Sequence, residues 1–165
     1  MRRSWLFALL AIVASFALVG TVLATHLPTN HNTTDLTTLV RGTIVDTFKY
    51  NVGDTKVQTK GPVDVVVADV SFPALASAGW HNHPGPVFVI VTSGRLSVWT
   101  ASCVKHEYYQ GGPEGAAFFE PGPESSLLVK NESATIAAQV KATFIVPPGT
   151  TALRTGTAHL CGNAE

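Results

Sequence analysis

The sequence predicts an all-β chain that folds as two packed antiparallel sheets or as a barrel. Three observations predict it. Beyond residue 24, short runs rich in Val, Ile, Thr and Phe recur between breaks made of Gly, Pro, Asn and Asp. In 134–146, Ala134, Ile136, Ala138, Val140, Ala142, Phe144 and Val146 share one face, while Thr135, Gln139, Lys141 and Thr143 share the other. That period of two is the pattern of a half-buried strand. No stretch after residue 24 holds apolar residues at a helical period, so eight or nine strands must close against one another without helices.

The elements can be justified in chain order. Met1, Arg2 and Arg3 precede an apolar and small-residue run from Trp5 to Ala24. A basic start, a hydrophobic middle and the small-residue exit Val22-Leu23-Ala24 read as an export signal cleaved after Ala24. A run of about 20 apolar residues can also span a bilayer as an uncleaved helical anchor. Either way the two arginines hold the N-terminus inside and the rest of the chain faces an extracytoplasmic space. Residues 25–40 are Thr- and Asn-rich and read as a polar linker.

Strands are then expected over 43–50, followed by the turn-like Asn51-Val52-Gly53-Asp54, and over 57–59, ended by Gly61-Pro62. Further strands are expected at 63–72, 87–92, 95–101, 106–110, 116–120, 126–130 and 134–146. Val87-Phe88-Val89-Ile90-Val91 is apolar on both faces, the pattern of a strand covered on both sides. Pro147-Pro148 ends the last strand, because proline cannot donate to a ladder.

Charge and cysteine content narrow the function classes. The 165-residue chain carries eleven basic and eleven acidic residues. Loss of Arg2 and Arg3 with a signal leaves nine against eleven, a net charge near −2. The remaining lysines are scattered singly, so no basic face exists for nucleic acid. In an oxidising compartment Cys103 and Cys161 are expected to form a disulfide that ties residues 149–165 back to the body. Asn32-Thr33-Thr34 and Asn131-Glu132-Ser133 satisfy the glycosylation pattern, which arises often by chance. There is no Gly-x-Ser-x-Gly elbow and no glycine-rich phosphate loop after a strand.

The chemistry, if any, centres on Gly79-Trp80-His81-Asn82-His83-Pro84-Gly85-Pro86. Two residues apart on a strand, His81 and His83 point to one side and form a candidate metal pair. The plainer alternative leaves one ring exposed and the other hydrogen-bonded to a backbone carbonyl.

This stretch, with the β run after it and Thr92-Ser93-Gly94, resembles the first motif of the cupin superfamily; Gly115, Pro121-Gly122 and Asn131 are similar to its second. The resemblance spans residues 41–148 and implies a jelly-roll type antiparallel double-sheet barrel. It implies His81 and His83 as metal ligands, for iron, manganese, zinc or nickel, and a possible homodimer. Two departures stand out. Val87 and Phe88 occupy the place of the family's glutamate, and Leu127, with Ser125 and Ser126 nearby, that of its third histidine.

Two imidazoles alone leave a divalent ion mostly hydrated, and an apolar wall of Val87, Phe88, Leu127 and Phe119 does not favour one. The expectation is therefore no tightly held cofactor. Glu120, Glu124, His106 or His159 would have to complete a site, and Glu120, just before Pro121, is expected to be a solvated surface carboxylate. The function expected is an exported module, non-catalytic or weakly metal-binding, that binds a small molecule or envelope component. The alternative is a metal-dependent dioxygenase or isomerase that uses His81, His83 and a residue outside the motifs.

Overall fold

The computed structural model describes residues 34–158 and 160–162. The expected signal or anchor (1–24), the first part of the expected linker (25–33) and His159 lie outside the described residues. No helix among the described residues is long and apolar enough to cross a membrane.

The described residues form strands β1 (Asp35–Ile44), β2 (Lys49–Val52), β3 (Thr55–Gln58), β4 (Val63–Phe72), β5 (Ser77–Asn82) and β6 (Val87–Ser93). There follow β7 (Leu96–Trp99), β8 (Lys105–Tyr108), β9 (Ala117–Glu120), β10 (Leu127–Lys130), β11 (Ala138–Val146) and β12 (Thr155–Gly156). One five-stranded sheet runs β1-β4-β11-β6-β9 and the other β12-β5-β10-β7-β8; β2 and β3 form a separate hairpin. Every pairing is antiparallel. This is the all-β double-sheet architecture that the periodicity predicts.

β4 and β11 pair from Phe72↔Ala138 to Asp64↔Val146 and form the spine of the first sheet. Their inward residues Val66, Val70, Phe72, Val140, Phe144 and Val146 are buried against Val87, Val89 and Val91 of β6. Each such side chain contributes about 1.5–3 kcal/mol on burial, so the alternation itself drives the two sheets together.

Four expectations change. β1 begins at Asp35, so the last six residues of the expected linker join the sheet as an edge strand, its polar threonines tolerated because its residues are exposed. The expected strand over 43–50 is divided, with Ile44 ending β1 and Lys49 starting β2. β6 is covered on one side only, because Phe88 and Ile90 alternate outward and are each 50% exposed. The run expected over 134–146 enters the ladder only at Ala138. Ahead of it, Ser133 Oγ accepts the N–H groups of Thr135 and Ile136, and Asn131 Nδ2 donates to the carbonyl of Ile136. A hydroxyl that bonds its local backbone competes with strand pairing, and Ile136 is left exposed.

The tail returns to the body as expected. Cys103 and Cys161 form a disulfide. Buried Cys161 packs in a second small core with Trp80 and Leu128, against Trp99. β12 adds to β5 through Thr155↔Asn82 and Gly156↔His81.

Candidate metal centre and cavity

β5 was not expected as a strand, because Pro73 and Gly79 interrupt its sequence signal. Gly79 sits at φ 68°, and its N–H donates to Ser77 Oγ. The irregularity leaves His81 near the end of β5 and His83 just beyond it, with both rings buried. Their ring centroids are 4.8 Å apart and nearly perpendicular.

The backbone fixes the tautomer of each ring. Nδ1–H of His81 donates to the carbonyl of Gly79 at 2.8 Å, and Nδ1–H of His83 donates to the carbonyl of Leu153 at 2.6 Å. A carbonyl only accepts, so each Nδ1 carries a proton, and when a ring is neutral it is Nε2 that presents the lone pair. Burial holds the His81 pKa below its ordinary value, and the neighbouring His83 and Arg154 lower it further. Glu120 and the Gly79 carbonyl pull the other way without reversing the shift. His81 therefore favours its neutral, metal-ligating form.

The third member is Glu120, which is 5% exposed rather than a solvated surface carboxylate. It ends β9, where β6–β9 pairing sets it opposite Val87. The chain then turns sharply through Pro121 and Gly122, whose φ is 104° and whose added Cβ would lie 3.1 Å from the carbonyl carbon of Gly85. Gly85 is packed more tightly still, since a Cβ there would meet the Ile145 carbonyl oxygen at 2.1 Å. The two glycines bring the ends of β5 and β9 together and carry the carboxylate inward.

Nε2 of His83 lies 2.5 Å from Oε2 of Glu120 without hydrogen-bond alignment, and Nε2 of His81 lies 3.9 Å from Oε1. One ligand atom from each of the three residues lies within 4.8 Å of the others. The two Nε2 atoms and the carboxylate converge in a buried space, where a cation among them, a proton or a metal ion, offsets the crowding of acceptors. Two imidazoles with one carboxylate are a donor set suited to divalent iron, manganese, zinc or nickel, so the residues fit a metal. The carboxylate of this group comes from β9, not from the stretch that follows His83.

The other expected site residues divide. Val87 is fully buried and lines the same cavity as the cluster. Phe88 and Phe119 do not line it: they stand on the outer face of the sheet, half-exposed, their rings 5.3 Å apart. Strand alternation explains this, because Phe118 turns inward to the cavity and Phe119 outward. Leu127 is buried in the core opposite His81 but is not among the cavity-lining residues. Glu124 is exposed, and His106 pairs with Glu114 at 2.9 Å on β8, so neither joins the cluster.

The cavity has a volume of about 310 Å³, within the usual range of small-ligand sites. Its walls include Val89, Phe118 and Phe144, and Thr34, Thr38, Thr151 and Arg154 also line it. Sequence reasoning missed that the tail, through Leu153 and Arg154, forms part of the wall. No local pattern signals it, because the contact depends on the disulfide and on β12.

Fold and cluster together define an all-β, antiparallel double-sheet protein with a candidate metal-binding group. Solved structures similar to this chain include cupin-domain proteins. DMSP lyase DddQ from Ruegeria pomeroyi is 13% identical, with a TM-score of 0.46 over 56% of this chain and 43% of the lyase. The chain thus spans less than half of that protein. A cupin domain from Bordetella pertussis is 20% identical, with a TM-score of 0.39 over 64% of this chain and 91% of that domain. A cupin superfamily protein from Desulfitobacterium hafniense is 8% identical, with a TM-score of 0.42 over 64% of this chain and 78% of that protein. Overlap at this level carries no inference about substrate or reaction. No family model matches the sequence, and no curated protein matches it.

Proposed function

We propose that this chain is an extracytoplasmic, metal-dependent cupin. His81, His83 and Glu120 hold a divalent transition metal ion at the inner end of the cavity, and a small organic ligand enters from the mouth. The observation that carries this reading is the convergence of three buried donor atoms within 4.8 Å of one another. It adds a third ligand to the two on which the expectation of a non-catalytic or weakly metal-binding module was built.

When bound, the ion supplies Lewis acidity and open coordination positions, as expected for a site with three protein ligands. The protein's part is to orient and to exclude water. Gly79 and Leu153 fix the imidazole tautomers. Val89, Phe118 and Phe144 keep the cavity apolar, which strengthens every electrostatic interaction inside it. The export reading is supported by the apolar start of the sequence and by the disulfide, which belongs in an oxidising compartment.

Elemental analysis of the exported protein tests this reading. Near-stoichiometric metal is expected in the wild type. Loss is expected in the His81→Ala, His83→Ala double variant and in Glu120→Ala, each weakening binding by more than about 100-fold, since changes one shell further out already cost 10–100-fold. Protein free of metal after purification and after incubation with zinc, manganese or iron would refute it.

A further inference from the structure

The charges around the cavity do not balance once the cluster holds an ion. Among the described residues that line it, Glu120 is the one carboxylate and Arg154 the one guanidinium. A divalent ion less the Glu120 charge leaves +1 beside the apolar wall, and Arg154, which is exposed to solvent, also lines the cavity. Uncompensated charge beside an apolar wall is costly, so an occupant that supplies negative charge is favoured over a neutral one.

Arg154 is placed to meet it. Of the three described arginines, Arg41 pairs with Asp64 and Arg95 with Glu107, whereas Arg154 has no acidic partner among the described residues. Its Nη1 donates to the carbonyl of Ala78 at 2.9 Å and to Thr34 Oγ1 at 3.5 Å. These bonds anchor one side of the fork, and a guanidinium carries five N–H donors, so others remain to grip an anion. Arg154 directly precedes β12, whose pairing with β5 fixes its position.

We propose that the cavity accepts a small carboxylate-bearing molecule, its carboxylate held by Arg154 facing the His81–His83–Glu120 cluster and its apolar body lying along Val89, Phe118 and Phe144. The volume agrees. A cavity of about 150 Å³ holds benzene, so about 310 Å³ accommodates a ring with a carboxylate attached. This inference rests on the metal reading and names the class of ligand that the same site takes.

The experiment uses the full exported chain, loaded with zinc and checked for stoichiometry, with benzoate, benzamide and inorganic phosphate titrated calorimetrically. Benzoate should bind about 10- to 100-fold more tightly than benzamide, its neutral isostere, because a charge-assisted hydrogen bond is at stake. Arg154→Gln should remove most of that difference, lowering benzoate affinity more than benzamide affinity. Arg154→Lys should retain part of it.

Thermal melting of both variants shows whether the tail stays docked once the bond to Ala78 is changed. Equal affinity for benzoate and benzamide, an unchanged preference in a folded Arg154→Gln protein, or binding of phosphate but not benzoate would each overturn the proposal. In those cases stoichiometric zinc would leave the metal reading standing. Failure to load zinc would instead strike at that reading first.

Discussion

Opening the Cys103–Cys161 bridge should cost stability and loosen one wall of the cavity. The cleanest perturbation is Cys103→Ser. Cys103 is exposed, whereas Cys161 is buried against Trp80 and Leu128, so the change cuts the cross-link and leaves that packing in place. The bridge spans a separation of 58 residues. The loop-entropy estimate for that length is about 4 kcal/mol at 25 °C, an upper figure in practice. With a urea dependence of roughly 2 kcal/mol per molar, the unfolding midpoint should fall by about 2 M. Equilibrium urea unfolding followed by tryptophan fluorescence reads this directly, with reduced wild type as a second route to the same state. The carbonyl of Leu153 that orients His83 lies on the same tail, so metal affinity should also fall, by about 10-fold. A midpoint within about 0.3 M of wild type would refute the claim that the cross-link pins the tail.

Gly85→Ala should destabilise the protein by about 3 kcal/mol or more and lower metal affinity, because its Cβ would strike the Ile145 carbonyl at 2.1 Å and push the loop after His83 outward; urea midpoints and zinc titration check both effects. Asn131 is 1% exposed, and its Nδ2 donates to the carbonyls of Phe72, Pro73 and Ile136. Asn131→Ala should therefore cost about 2–4 kcal/mol, measured by the same unfolding, and this buried asparagine should carry no glycan when mass is measured after export from a glycosylating host. Hydrogen bonds from Thr43 and the Gly149 N–H, with the nearby Arg41, hold the Asp64 pKa below the ordinary carboxylate value. A depressed folded pKa means a contribution that is full above about pH 4, the unfolded value, and lost as pH falls below it. Asp64→Asn should thus lose less stability than wild type between pH 6 and pH 3, in thermal melts across that range.

Much of the fold was legible because its signal is local. β4 matches its expected bounds of Val63–Phe72, since turn residues flank it and every second side chain is apolar. β5 was missed because Gly79 and the alanines around it carry little β propensity, and it is held by long-range pairing with β10 and β12. The histidine pair could be read as a candidate from its spacing together with the motif resemblance around it. Glu120 could not: the signal it shows in sequence is a carboxylate before a proline, and only the β6–β9 register and the approach of Gly122 to Gly85 turn it inward. Phe88 and Phe119 were misplaced for the converse reason. A doubly apolar strand looks buried on both faces, yet the outer face of this sheet is left half-exposed.

The central claim is that His81, His83 and Glu120 act as one metal-binding unit, and a crystal of the zinc-loaded protein tests it most directly. Anomalous scattering at the zinc edge should show a single strong peak about 2.0–2.2 Å from Nε2 of both histidines and from a Glu120 carboxylate oxygen. A peak bound elsewhere, or none at that position in protein incubated with excess zinc, would contradict the account.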